Sequence, residues 1–296
     1  MFIEYLKAII FGIVEGITEW LPVSSTGHLI LLEEFLPLHV APTLGAEFAD
    51  EYFSMFEVVI QLGAILAVVV MFFGKLNPFA LYKSKAEKKS TWVLWGKVLV
   101  ASIPAALVGV VVDSIIESKT GKDIDGWIYN WATVATTLIL YGVLFIIIER
   151  IYGDKESRVV DVGDITLGQA AAIGCFQVLS IIPGTSRSGS TILGARAIGI
   201  SRSAAAEFSF FMGIPAMAGA SLLKGYAFFD YVSEVGVSVP AEAWIVLLIA
   251  SVSAFAVSMV AIKFLMEFVK RYSFAPFGVY RIALGALVIL YFAIVR

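Results

Sequence analysis

Two stretches decide how this chain can fold: EGITEWLPVSSTGH, from Glu15 to His28, and QVLSIIPGTSRSGST, from Gln177 to Thr191. Each is polar and turn-forming, and each is surrounded by long apolar sequence. An ionisable side chain at the centre of a membrane helix costs roughly 2.5 to 3.5 kcal/mol, so one that is kept there usually has a function. The first candidates for an active site are therefore the four ionisable residues Glu15, Glu19, His28 and Arg187.

Composition indicates a membrane protein. Of the 296 residues, 59% are hydrophobic and 15% are charged, and the mean hydropathy is +0.91. A soluble domain of this size would need more polar residues to cover its surface. Several apolar stretches are close to the ~20 residues that a helix needs to cross the hydrocarbon core. The sequence thus predicts an all-α integral membrane protein. Its six predicted transmembrane helices are Phe56–Phe73, Trp92–Val112, Trp127–Ile148, Ala204–Lys224, Trp244–Leu265 and Pro276–Val295.

Positive charge orients these spans. The stretch from Gly74 to Ser90 holds five lysines, and Lys270 and Arg271 follow the fifth span, so both regions are predicted to be cytoplasmic. The stretches that fit the outer side are Pro37–Glu51, Asp113–Asp125 and Asp230–Glu242. This threading puts both termini outside the plasma membrane. The first polar stretch then enters from outside and the second from the cytoplasm, with the active site opening to the outer face.

The opposed directions of the two polar stretches indicate an inverted-topology repeat within a single membrane domain. Its halves are residues 1–148 and 149–296. An alignment of the halves sets Pro22 against Pro183, Ser25 against Ser186 and Gly27 against Gly189, with one residue inserted after the proline. Two re-entrant helical hairpins would then meet near the bilayer midplane, where irregular backbone is tolerated only around a polar cavity. The alternative is a fortuitous match between two turns rich in serine and glycine.

Glu15 and Glu19 indicate a cation site. On a helix, residues four apart lie on one face with their β-carbons about 6 Å apart, so two ionised carboxylates would repel each other. A shared cation removes this conflict, and carboxylate oxygens favour a hard ion such as Mg²⁺ or Ca²⁺. The alternative is that one of the two glutamates is protonated and hydrogen-bonded in a packed interior.

The turn after Pro22 carries hydroxyl groups. Ser24, Ser25 and Thr26 follow the proline, which cannot continue the helix. A new helix N-terminus at this point leaves backbone N–H groups that attract an anion. His28, immediately behind, can act as proton donor, proton acceptor or nucleophile. The alternative for the hydroxyls is that they only cap the helix.

The second stretch carries groups that are typical of a phosphate-binding site. Arg187 offers a planar fork of donors, and glycines on either side permit close approach of the backbone to a ligand. The predicted substrate-binding residues are Ser24 and Thr26 from the first stretch, with Gly184, Thr185, Ser186, Ser188 and Gly189 from the second. The alternative for Arg187 is a structural ion pair with one of the glutamates.

Both stretches resemble the signature motifs of one family. EGITEWLPVSSTGH and PGTSRSG look like those of the bacterial undecaprenyl-diphosphate phosphatases of the bacitracin-resistance type, and FEVVIQLGAILAVVVMF, SRSAAAEFSFFMGIPAM and FAPFGVYRIALG also fit. The resemblance implies a plasma-membrane enzyme that removes the terminal phosphate of undecaprenyl diphosphate and so recycles the lipid carrier for cell-wall synthesis. It also implies roles for particular residues: Glu15 and Glu19 in metal binding and catalysis, Ser24, Ser25, Thr26 and His28 in the catalytic centre, and Ser186, Arg187 and Ser188 on the diphosphate.

The mechanism expected is in-line attack on the terminal phosphorus, with a divalent cation and Arg187 stabilising the transition state. Ser25, His28 and activated water are alternative nucleophiles, and Ser25 assisted by His28 or Glu19 is favoured. The predicted catalytic residues are Glu19, Ser25, His28 and Arg187. The expected partners are a prenyl diphosphate lipid and membrane lipid, without nucleic acid, and a homodimer is the oligomer to consider.

Other functional classes share parts of this pattern. A secondary transporter would also have an inverted repeat and carboxylates at the membrane midplane. Lipid phosphatases of the acid-phosphatase type use similar clusters, but they need a further downstream histidine, and this chain has none after His39. An intramembrane serine protease is disfavoured because no Gly-x-Ser-x-Gly sequence surrounds the serines.

Overall fold

The computed structural model of the protein describes residues 1–120, 128, 130–153 and 155–295. In these residues the fold consists of α-helices joined by turns and short 3₁₀ segments. Numbered in chain order, the helices are α1 Phe2–Thr18, α2 Ser25–Phe35, α3 Ala46–Met71, α4 Phe73–Leu76, α5 Lys85–Thr120, α6 Trp131–Tyr152, α7 Leu167–Gln177, α8 Arg187–Ala197, α9 Arg202–Val235, α10 Ala241–Arg271 and α11 Ala275–Val295.

The six predicted spans are confirmed. Within the described residues, α3, α5, α6, α9, α10 and α11 are long and apolar enough to cross a membrane. Most of these helices are longer than predicted, because their terminal turns carry polar residues that an apolar pattern does not include. Thus α5 continues to Thr120, into the stretch Asp113–Asp125 that was predicted as an outer loop. The rest of that stretch, and the predicted start of the third span at Trp127, lie outside the described residues.

Two pairs of shorter helices interrupt this arrangement. α1 and α2 contain 17 and 11 residues, and α7 and α8 contain 11 residues each. An 11-residue helix is about 16 Å long, roughly half the thickness of the hydrocarbon core. Pro22 lies in the break of the first pair and Pro183 in the break of the second. Their dimensions are compatible with re-entrant hairpins.

The first helix of each pair packs on a long helix from the other half of the chain. A Cβ on Gly16 of α1 would come within 2.7 Å of the Ala254 carbonyl oxygen of α10. A Cβ on Gly174 of α7 would collide in the same way with the backbone of Ala101 in α5. Glycine is needed at both positions because no other residue allows the backbones to approach so closely. The two halves are therefore interlocked.

Aromatic packing fixes the break after α1. The Trp20 side chain is fully buried and meets Phe210 of α9 edge-on, with ring centroids 5.2 Å apart. Phe72 packs on Phe211 in the same geometry at 5.3 Å. Such pairs contribute about 0.5 to 1.5 kcal/mol beyond the area they bury. Because Trp20 follows Glu19 directly, this anchor also holds the Glu19 backbone in place.

Candidate active site

The two helix breaks meet inside the protein. Ser188, in the first turn of α8, donates its hydroxyl to the Glu19 backbone carbonyl at 3.0 Å. The Arg187 guanidinium donates through Nη2 to the Glu19 carboxylate oxygen Oε1, also at 3.0 Å. The two polar stretches, which come from different halves of the chain, therefore form one composite site.

A serine with an unusual backbone conformation closes each break. The φ angles are 76° at Ser24 and 71° at Ser186, in a region where an L-residue is strained by about 1 to 3 kcal/mol. Ser24 Oγ accepts a hydrogen bond from the Gly27 N–H at 3.2 Å, and Ser186 Oγ accepts one from the Gly189 N–H at 3.0 Å. Both serines are thus helix caps, and for Ser24 this was the alternative given in the sequence analysis.

The positions of the two caps show that the alignment of the two halves was wrong by one residue. Ser24 corresponds to Ser186 in conformation and hydrogen bonding, whereas the sequence alignment paired Ser25 with Ser186. The alignment matched one hydroxyl residue to another, but the backbone determines which of two adjacent serines is the cap. Ser25 and Arg187 consequently occupy equivalent positions, each the first residue of its helix.

Ser25 and Glu19 form a close pair. The Ser25 hydroxyl donates to Glu19 Oε2 at 2.5 Å, and both residues are buried. A hydroxyl on a carboxylate is arranged so that the carboxylate can take the proton when the oxygen attacks an electrophile. Of the two partners considered for Ser25, the geometry therefore favours Glu19.

Arg187 is both a structural partner and a candidate ligand of the substrate. Its Nη1 donates to the Ser209 carbonyl at 2.7 Å, while Nη2 holds Glu19. The ion pair with a glutamate, one of the two alternatives for this residue, is therefore present. The Nε–H group is buried and has no hydrogen-bond partner in the described part of the chain. Arg187 thus keeps a donor that none of the described residues uses.

Glu15 is fully buried one turn before Glu19. Neither of its carboxylate oxygens has a hydrogen-bond partner among the described residues. A buried ionised carboxylate without a partner is costly, and a bound cation would offset that cost. The described residues contain no cluster of three or more His, Cys, Asp or Glu that could hold a metal. A hard divalent cation at Glu15 and Glu19 would therefore have to take its remaining ligands from substrate or water.

Glu19, Ser25 and Arg187 face a cavity of about 490 Å³ between α3, α5 and α9. Its lining includes the polar cluster Glu19, Ser25, Ser186 and Arg187. α5 and α9 contribute small and apolar residues to the same lining, among them Ala105, Gly109 and Gly219. A cavity lined by both polar and apolar residues suits a ligand with an anionic head and an apolar tail.

Several predicted binding residues shape the backbone. Thr185 donates its hydroxyl to carbonyl groups of the preceding turn. Ser188 bonds the Glu19 carbonyl, and Ser24 and Gly189 belong to the two caps. The cavity itself is lined by the remaining three predicted residues, Thr26, Gly184 and Ser186.

His28 lies outside the cavity lining. Its Nδ1 is 2.7 Å from the Ser24 carbonyl oxygen, and its Nε2 is 2.7 Å from the Tyr280 hydroxyl. The His28 and Tyr280 rings are parallel within 1°, with centroids 5.7 Å apart. Both ring nitrogens are therefore engaged away from Ser25.

Sequence reasoning missed Arg281 in α11. Its side chain is fully buried and donates to three backbone carbonyls: Pro22 at 3.1 Å, Gly184 at 2.6 Å and Thr185 at 3.1 Å. The guanidinium also lies over the Tyr141 ring, 5.3 Å from its centroid. Arg281 thus ties the two breaks together. A charged residue inside an otherwise apolar predicted span was the signal that could have found it.

Comparison with known proteins identifies relatives along nearly the whole chain. A family model described as bacitracin resistance protein BacA matches residues 8–287. The undecaprenyl-diphosphatase of Enterococcus faecalis is 49% identical over 291 residues, which is 98% of each chain. The undecaprenyl-diphosphatase of Acetivibrio thermocellus is 51% identical over 294 residues, 99% of this chain and all of the relative.

Arg281→Met should destabilise the protein, because methionine fills part of the space but leaves the three carbonyl groups without their donor. We expect the free energy of unfolding to fall by about 3 kcal/mol. Thermal unfolding of the protein in detergent measures the change. The control is Arg150→Met at an exposed position of α6, which should shift stability by no more than about 0.5 kcal/mol. Equal stability of the two variants would contradict the role given to Arg281.

Proposed function

This chain belongs to the family of bacitracin resistance protein BacA, and from that membership we propose that it removes the terminal phosphate of undecaprenyl diphosphate. The products are undecaprenyl phosphate and inorganic phosphate, so the reaction recycles the lipid carrier used in cell-wall synthesis. The protein is a multi-pass membrane protein, since six helices in the described residues can span a bilayer.

One observation carries the chemistry: the hydrogen bond from the Ser25 hydroxyl to the Glu19 carboxylate, in the lining of the cavity and beside Arg187. The pocket therefore contains a nucleophile (Ser25), a base (Glu19) and a positively charged side chain that can bind phosphate (Arg187). The helix that begins at Ser25 also directs its N-terminus, with its partial positive charge, at a bound anion.

The proposed reaction has two steps. In the first, Ser25 Oγ attacks the terminal phosphorus while its proton passes to Glu19. The bond between that phosphorus and the bridging oxygen breaks, and the bridging oxygen leaves with undecaprenyl phosphate and takes up the proton from Glu19. In the second step, water attacks the phosphoserine and gives a proton to Glu19. The bond from phosphorus to Oγ breaks, and that proton returns to Ser25 as inorganic phosphate leaves.

Arg187 binds the phosphate in this proposal. Its ion pair with Glu19 holds the carboxylate beside Ser25 before substrate arrives. When the diphosphate binds, the planar guanidinium can donate to its oxygens and stabilise the charge that builds up in the transition state. The Ser209 carbonyl keeps the side chain in position throughout.

We also propose a divalent cation, Mg²⁺ or Ca²⁺, held by Glu15 and Glu19. Both oxygens of Glu15 are free of hydrogen bonds from the described residues, whereas those of Glu19 are shared with Arg187 and Ser25. When bound, the cation offsets the charge of the diphosphate and polarises its phosphorus–oxygen bonds.

The position of the cavity supports access from the outer face. The cavity is lined by Glu57, near the middle of α3, and by Lys224 of α9, which lies closer to the helix end opposite the basic loop. Lys75, in that loop, is at the other end of the bundle, where it pairs with Glu207 at 2.6 Å. If the basic loop is cytoplasmic, as the positive-inside rule indicates, then the cavity and both termini face the outside.

Arg187→Ala should lower kcat/KM by at least about a hundredfold. The kcat/KM of Arg187→Lys should also be strongly reduced, because lysine keeps the positive charge but lacks the planar pair of donors of the guanidinium. Release of phosphate from a prenyl diphosphate by purified protein in detergent measures both. Arg150→Ala is the matched control and should keep normal turnover. Because detergent removes any gradient, phosphate release there also excludes a function confined to transport. Near-normal activity of Arg187→Ala would show that the two breaks do not form one catalytic site.

Chelation with EDTA should abolish turnover, and Mg²⁺ or Ca²⁺ should restore it. Binding of either ion should also raise the thermal stability of the wild-type protein, since the ion removes repulsion between buried carboxylates. Glu15→Gln should lose this stabilisation, whereas Glu156→Gln, at an exposed site, should keep it. Full turnover in excess EDTA would remove the cation from the mechanism.

Topology can be tested with single cysteines after Cys175, the one native cysteine, is replaced by alanine. Lys85→Cys and Ser238→Cys both lie at exposed positions, the first in the basic region and the second between α9 and α10. In intact cells, a membrane-impermeant maleimide should label Ser238→Cys and should reach Lys85→Cys only after permeabilisation. The reverse pattern would invert the proposed orientation, and labelling of both in intact cells would overturn the six-span threading.

A further inference from the structure

A chain of hydrogen bonds leads from the surface of α11 to the residue before the nucleophile. It runs from the Tyr280 hydroxyl to His28 Nε2 at 2.7 Å, and from His28 Nδ1 to the Ser24 carbonyl at 2.7 Å. Taking the proposed phosphatase function as given, we propose that Tyr280 and His28 are positioning residues for Ser25, with His28 held as the neutral tautomer that is protonated at Nδ1.

The tautomer follows from the partners. A backbone carbonyl only accepts hydrogen bonds, so the Nδ1 that faces Ser24 must carry the proton. A neutral imidazole has one protonated nitrogen, which leaves Nε2 as an acceptor, and the Tyr280 hydroxyl donates to it. Only a doubly protonated ring would reverse this second bond. That state would place a second positive charge close to the buried Arg281, the residue next to Tyr280.

The position of Ser25 depends on the Ser24 carbonyl. Ser24 holds a strained φ of 76°, and its carbonyl also accepts the His28 backbone N–H at 3.3 Å. Movement of this peptide would move Ser25, whose Oγ must stay 2.5 Å from Glu19 for proton transfer. A displacement of about 1 Å between reacting groups can cost up to a hundredfold in rate.

The same bonds make His28 unsuited to proton transfer with the substrate. Neither nitrogen is available to Ser25, and the ring is not part of the lining of the cavity that holds Ser25, Glu19 and Arg187. The chemistry is left to Glu19. His28 and Tyr280 fix the geometry in which Glu19 acts, together with Arg281, which holds the Pro22 carbonyl two residues before Ser24.

The tautomer can be observed directly. The chain has two histidines, so His39→Gln leaves His28 as the only source of a ¹⁵N-histidine signal. Solid-state NMR of this protein in lipid vesicles near pH 7 should show one protonated nitrogen, assigned to Nδ1. The proposal is overturned if the ring is protonated at Nε2 or at both nitrogens. This measurement needs no activity, so it can fail or succeed independently of the proposed function.

Activity provides the second test. Tyr280→Phe should lower kcat about tenfold with KM within about twofold, because the nucleophile is misplaced while the binding groups remain. In a His28→Ala background, Tyr280→Phe should have no further effect, since Tyr280 acts through the ring. Tyr272→Phe, at an exposed site after α10, is the control and should be unchanged. Additive losses, or an unchanged kcat in Tyr280→Phe, would overturn the proposal.

The variant His28→Asn distinguishes a positioning role of His28 from a role in proton transfer. Asparagine places an amide N–H close to where Nδ1 lies, so it can still donate to the Ser24 carbonyl, but it cannot transfer a proton. His28→Asn should therefore recover most of the kcat that His28→Ala loses. If His28→Asn is as inactive as His28→Ala, the ring itself takes part in the chemistry and the positioning role is wrong.

Discussion

The whole site depends on one constraint: backbone groups at a helix break inside an apolar environment must find hydrogen-bond partners within the protein. The breaks at Pro22 and Pro183 expose carbonyls that no neighbouring turn can satisfy. Arg281 donates to carbonyls in both breaks, and Ser188 donates to the carbonyl of Glu19. The partners of each break come largely from elsewhere in the chain, so satisfying the backbone also brings the two breaks together. The catalytic groups are adjacent as a consequence.

Equivalent positions in the two halves have acquired different chemistry. Ser24 and Ser186 close their breaks with the same conformation and the same cap. The next residue is Ser25 in one half and Arg187 in the other, and both side chains contact Glu19. A repeated scaffold thus presents a hydroxyl and a guanidinium to one carboxylate. This division of roles is compatible with an inverted repeat whose halves have diverged at the position that faces the ligand.

Much of the fold could be predicted from the sequence because its causes are local. Apolar length identified the six spans, and the prolines located the breaks. The pairing of Arg187 with Glu19 was anticipated as one alternative, since a buried charge needs a partner. The two halves were aligned one residue out of register at the caps, because the adjacent Ser24 and Ser25 are equivalent in sequence and differ only in backbone conformation. Arg281 was overlooked although its charge inside an apolar span marks it. Its partners could not have been predicted, because they are carbonyls, which every residue has, and no residue type or spacing in the sequence identifies them.

The interlocking of the halves has a consequence for how the protein is made. α1 is synthesised before the helix on which Gly16 packs, because that helix, α10, begins only at Ala241. Until α10 and α11 have been inserted, the first helix pair lacks its packing partner and its break lacks Arg281, which lies in α11. The N-terminal segment, with Glu15 and Glu19, must therefore wait in or beside the membrane while most of the chain is translated. Assembly of the active site is one of the last events of biogenesis, and a chain cut short before α10 would contain the first motif without the structure that positions it.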